Sequence, residues 1–121
     1  MVFETNKTIK KWHKKTFPDA TLTGQLEKFK EERLEFETET DTKKKMLELA
    51  DMYIVICGIG RFDMLIAVAL WEDMKSLLLS NFPMYSPPER IIRLRAAINK
   101  KMRINRQRTW NKLNGQYKHK A

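Results

Sequence analysis

The chain has 121 residues, 24 of them Lys or Arg and 15 Asp or Glu, for a formal net charge of +9. That length supports one hydrophobic core and not two, and its longest apolar runs, residues 52–60 and 64–71, are far short of the roughly 20 that span a bilayer. One cysteine, Cys57, excludes an internal disulfide and suits a reducing cytoplasm, and the opening MVFETNKTIKK has no apolar signal core, so a cytoplasmic chain is expected.

A first helix is predicted from Asn6, as N-cap, to about Lys15, where Phe17-Pro18 ends it. Ile9 and Trp12 face inward on this reading, Trp12 as a core aromatic or as a base-stacking one. The second helix runs from near Thr23 to about Thr38, with Leu22, Leu26, Phe29 and Phe36 as its apolar stripe. The polar ETETDTKKK connects it to a third helix capped by Asp41 or Thr42. From Met46 to Cys57 that helix is apolar on nearly all sides, which marks a buried central helix. Gly58 and Gly60 are expected to interrupt it, with a restart at about Phe62. The next helix reaches about Leu79 with Asp63, Glu72, Asp73 and Lys75 on its wet side. A proline-containing loop over residues 81–88 follows, and Glu89 opens a last helix through about Arg106. The fold class expected is all-α, a bundle of about four to five helices.

Four carboxylates stand out. Glu32 and Glu35 are three residues apart on the second helix, and Glu48 and Asp51 are three apart on the third, so each pair occupies one helix face. If the two helices pack antiparallel and adjacent, the four acids converge in a seam where mutual repulsion is costly. Hard cations, Mg²⁺ or Mn²⁺, would relieve it, since oxygen-only ligands suit them; two basic residues forming structural ion pairs are the bland alternative. Glu31 falls on the opposite side of the second helix and is left for positioning or deprotonating a water, or for facing solvent. Gln25 and Lys28 share the flank of Glu32 and Glu35, where they could touch a bound anion. Cys57 reads as a core residue. His13 and His119 lack a Glu three residues before them, so the Glu-x-x-His pattern of di-iron bundles is missing.

The pattern Glu-Glu-x-x-Glu at Glu31, Glu32 and Glu35, followed by Glu-x-x-Asp at Glu48 and Asp51, resembles the MazG-like, all-α nucleoside triphosphate pyrophosphohydrolases. Trp12 with Phe17-Pro18 and Leu26 looks like that family's entry into the acidic helix, and KKMRINRQRTW, with Lys101, Arg106 and Trp110, resembles its segment that closes over the substrate phosphates. The resemblance implies Mg²⁺-dependent hydrolysis of a nucleoside triphosphate, often a deoxynucleotide, between the α and β phosphates. It implies Glu32, Glu35, Glu48 and Asp51 as metal ligands, Glu31 or Glu32 as proton acceptor, and Lys101, Arg106, Lys28, Gln25, Trp12 and Trp110 around the substrate. Residues 1–121 then form one such domain, with extra helical material at about 63–97 and a basic segment at 98–121. Lys118 and Lys120 read as solvated. Surplus apolar surface on the helix near Leu65 to Leu79 points to a homodimer or a tetramer. Two readings without catalysis stand beside this one: a basic nucleic-acid-binding module, and a helical interaction protein with structural ion pairs.

Overall fold

The computed structural model describes residues 3–108, 110–113 and 116–119, with side chains up to Trp110. Each of its five helices begins at a residue able to cap it. Thr5 starts α1 (Asn6–Thr16): its hydroxyl accepts from the Thr8 N–H while the Thr8 hydroxyl accepts from the Thr5 N–H, a reciprocal capping box. Asn6, expected as the cap, is instead the first helical residue, and its amide donates to Cys57 Sγ at 3.2 Å. Thr21 caps α2 (Leu22–Thr38), Asp41 caps α3 (Thr42–Ile59), and Asp63, expected on the wet side of the next helix, caps α4 (Met64–Asn81). Ser86 caps α5 (Pro87–Gln107), which opens two residues before Glu89 because a proline is pre-set for the first helical position.

A short antiparallel hairpin follows, β1 (Trp110–Leu113) paired with β2 (Gln116–His119), with Trp110 opposite His119. It was not expected from the basic C-terminal sequence. The chain is thus an all-α helical bundle with this small appendage. The reading of Lys120 lies outside the described residues, and that of Lys118 outside the described side chains.

The central helix is α3, as its apolar run predicts: it packs against α1, α2, α4 and α5, and Leu49, Ala50, Met52, Cys57 and Ile59 are wholly buried. Three residues join α2 to α3, so the two reverse direction and lie side by side. Lys45 closes this corner by donating to the carbonyls of Phe36 (2.8 Å) and Glu39 (3.3 Å) and sitting over the Phe36 ring. Gly58 does not interrupt α3; the helix runs through it to Ile59, and the break falls at Gly60. A Cβ at Gly58 would lie 2.6 Å from His13 Nε2, so glycine is there to let α1 approach α3 closely. The extra helical stretch 63–97 comprises α4 and the first half of α5, which continues unbroken past residue 97. No helix among the described residues is long and apolar enough to cross a membrane.

Candidate active site

Side-by-side packing of α2 and α3 brings the acidic faces together. One carboxylate oxygen each from Glu32, Glu48 and Asp51 lies within 4.8 Å of the others, and Glu35 adjoins them on the same wall. Two ammonium groups reach in: Lys28 Nζ is 3.2 Å from Glu32 Oε1, and Lys101 Nζ is 3.1 Å from Asp51 Oδ2. These two lysines do not neutralise four acids. Among the described residues, Glu32 Oε2 and Glu48 Oε2 are buried with no hydrogen-bond partner, although Glu32 is only 7% exposed and an orphaned buried oxygen is costly.

The electrostatics follow. Burial first, then the Asp51 charge, pushes Glu32 up to about 7 against the counter-pull of Lys28. Burial, Asp51 and Glu35 push Glu48 up to about 7 as well, opposed by Lys101. Asp51 is raised chiefly by burial, with Lys101 pulling it back. Carboxylates crowded this way, with oxygens left over, have the chemistry to accept a hard divalent cation; the three whose oxygens converge are Glu32, Glu48 and Asp51, with Glu35 beside them.

The acids form one end of a cleft of about 240 Å³. Trp12, Phe17 and Trp110 wall the other end, meeting edge to face with centroids 5.2 Å (Trp12–Phe17) and 5.0 Å (Phe17–Trp110) apart. Trp110 is fixed by its indole N–H, which donates to the Asn105 carbonyl at 3.3 Å. Beneath them His13 is buried, its Nε2 3.1 Å from Gln25 Oε1 and its Nδ1 2.8 Å from Arg61 Nη1. Burial and the Arg61 charge hold this imidazole down to about 4, so it is neutral at physiological pH.

Of the residues singled out in the sequence, Glu32, Glu35, Glu48, Asp51, Gln25, Lys28, Lys101, Trp12 and Trp110 all line this cleft. Trp12 is both core and wall, 9% exposed. Two do not line it. Glu31 lies on the outer side of α2, about half exposed, with Lys28 Nζ at 4.0 Å. Arg106 forms a two-pronged ion pair with Glu4 (2.9 and 2.8 Å) beside Thr8, Lys11 and Lys15. The reason is helical phase: Asn105 is four residues beyond Lys101 and shares its face, whereas Arg106 is a further ~100° round. Asn105 and Arg108 occupy the place expected of Arg106. The i+4 relation could have found Asn105; His13 had no local signal, because its partners Gln25 and Arg61 are 12 and 48 residues away.

No protein-family model, curated protein or solved structure matches the chain.

Proposed function

We propose that this chain is a divalent-cation-dependent nucleoside triphosphate pyrophosphohydrolase, cleaving a nucleoside or deoxynucleoside triphosphate between the α and β phosphates to the monophosphate and pyrophosphate. The observation that carries the reading is the acidic cluster, two of whose buried oxygens have no partner among the described residues, at one end of a cleft whose other end is aromatic. The order and spacing of Glu31, Glu32, Glu35, Glu48 and Asp51, which resemble the MazG-like enzymes, support the choice of bond.

Glu32, Glu35, Glu48 and Asp51 would hold Mg²⁺ or Mn²⁺, which when bound supplies positive charge to phosphate oxygens and lowers the pKa of nearby water. Lys28 and Lys101 line the same end and offer ammonium groups to the remaining phosphate charge. Arg108 is the guanidinium placed to join them, rather than Arg106. Between the two candidate proton acceptors, Glu32 fits better than Glu31: it lines the cleft, whereas Glu31 lies on the outer side of α2. Trp12, Phe17 and Trp110 receive the nucleoside.

The ion-pair reading is favoured by Lys28–Glu32 and Lys101–Asp51, and it differs in one respect: it needs no cation. Incubating the protein with a panel of nucleoside triphosphates and Mg²⁺ in ¹⁸O-labelled water is expected to give the monophosphate and pyrophosphate, with the label in the monophosphate because water attacks the α phosphorus; label in pyrophosphate would mean attack at the β phosphorus. Release of orthophosphate and a diphosphate would mean a different chemistry. No turnover and no Mg²⁺ binding by calorimetry would leave the ion-pair reading.

The reading extends to assembly. On α4 and α5, Met64, Leu65, Val68, Ile91 and Ile92 are exposed, Leu65 by 84%, and a second copy of the chain, as homodimer or tetramer, is the cover we infer. Light scattering at micromolar concentration is expected to give a multiple of the chain mass, and Leu65→Lys to reduce it; a monomeric wild type refutes the assembly alone. A reducing, cytoplasmic setting accords with the single buried thiol of Cys57, which burial pushes up to about 12.

A further inference from the structure

Three side chains beneath the aromatic end have hydrogen-bond directions that force one another. Arg61 Nη1 lies 2.8 Å from His13 Nδ1 and donates to the Phe17 carbonyl at 2.9 Å. A guanidinium has donors and no acceptor, so His13 Nδ1 must carry the lone pair. The neutral ring then has its proton on Nε2, which donates to the Gln25 atom 3.1 Å away, and that atom must be Oε1. The carboxamide is thereby oriented: its oxygen faces the imidazole, and its Nε2–H₂ group is the one turned away from it, toward a ligand. His13 and Gln25 are 3% and 4% exposed, and a Cβ at Gly58 would press on both, at 2.6 Å from His13 Nε2 and 3.0 Å from Gln25 Oε1, so neither has room to turn.

Gln25 lies seven residues before Glu32 on α2, a rise of roughly 10 Å, which places it at the nucleoside end when phosphates occupy the acidic end. The base edge reaching this buried floor is the one farthest from the sugar. At that position guanine, thymine and uracil carry a keto oxygen, and adenine and cytosine an amino group. We propose that Gln25 determines the specificity of the cleft, its amide donor selecting keto bases over amino bases, with His13 and Arg61 as positioning residues that keep the donor facing the ligand. The inference rests on the nucleotide reading of the cleft. An amino base would set donor against donor, a mismatch that sites built on buried hydrogen bonds reject strongly.

The test is equilibrium binding of dGMP, dTMP, dAMP and dCMP to the full chain, read by quenching of tryptophan fluorescence. dGMP and dTMP are expected to bind at least about tenfold more tightly than dAMP and dCMP. Gln25→Ala should bring that ratio close to one. Gln25→Glu, a pure acceptor when ionised, should shift the preference toward amino bases. His13→Phe frees the amide to turn over, so the ratio should shrink to about two- to threefold through a gain by dAMP and dCMP, a change that loss of structure would not produce. Equal binding of all four by the wild type overturns the proposal, as does a ratio that survives Gln25→Ala or uniform weakening of all four by it. A ratio unchanged in His13→Phe overturns the positioning role. Keto preference without triphosphate turnover refutes the hydrolytic reading and leaves this one standing; if none of the four binds, this proposal falls and turnover alone decides the hydrolytic reading.

Discussion

Glu48→Gln is expected to lower triphosphate turnover by about a hundredfold or more and, in the same protein without divalent cation, to raise stability at pH 8 by about 1 kcal/mol after allowance for solvent screening. Both effects come from one atom pair. Among the described residues, Glu48 has a buried oxygen with no partner and no lysine in an ion pair with it, whereas Glu32 and Asp51 each hold one. Removing its charge therefore costs a cation ligand and relieves repulsion without stranding an ammonium. Folded Glu32 and Glu48 take up protons near pH 7, against an ordinary value of 4.5. Between those pH values the folded chain binds more protons than the unfolded one, so stability falls as pH rises. His13 runs the other way: held to about 4 from an ordinary 6.5, it adds stability as pH rises through that window. Two carboxylates outweigh one imidazole, so in this window the cluster's net contribution falls, and above pH 7 the cation-free protein carries the full repulsion.

Urea denaturation at pH 5 and pH 8, with and without Mg²⁺, reads these terms. Relative to Glu48→Gln, the wild type should lose stability from pH 5 to pH 8 and recover it with Mg²⁺, as mass action requires of a ligand bound only by the folded state. A Glu48→Gln protein that is less stable than wild type at pH 8 yet fully active would replace the cation site with a structural polar network.

Gly58→Ala is expected to destabilise the chain by about 2 kcal/mol, even though alanine is favoured over glycine by about 1 kcal/mol inside a helix. The added methyl would meet His13 Nε2 at 2.6 Å and Cδ2 at 2.8 Å. The imidazole cannot give way, because Gln25 and Arg61 hold both of its nitrogens. His13→Ala should remove the obstacle, so the double variant should recover most of the loss, and a thermodynamic cycle over the two sites should return a coupling of similar size. A Gly58→Ala protein more stable than wild type would mean that α1 and α3 approach less closely than this packing has it.

These two sites show what could be read in advance. The acidic cluster was legible because its members are three residues apart on helices joined by a short connection, so helical phase alone carries them to one seam. Helix existence was legible for the same reason, and the starts of α1 and α5 were misplaced where Thr5 competed with Asn6 and Pro87 with Glu89. Gly58 was misread as a breaker because glycine's two uses, turning a chain and admitting a neighbour, look alike until the neighbour is known. His13, Gln25 and Arg61 are joined only by tertiary contact, and the hairpin after Arg108 depends on pairing between short strands with no strong alternation.

The ion pair of Arg106 with Glu4, together with the bond from the Glu4 N–H to Asn99 Oδ1 at 2.9 Å, ties the beginning of the chain to its last helix. The order of synthesis then matters. The four acids and Lys28 leave the ribosome first and can meet as soon as α2 and α3 pair, whereas Lys101, Asn105 and Trp110 emerge about 50 residues later. A nascent chain stopped before α5 would hold four carboxylates against a single ammonium, with one aromatic wall missing and Glu4 without its anchor. Completion of the cleft is thus coupled to synthesis of α5 and the residues just after it.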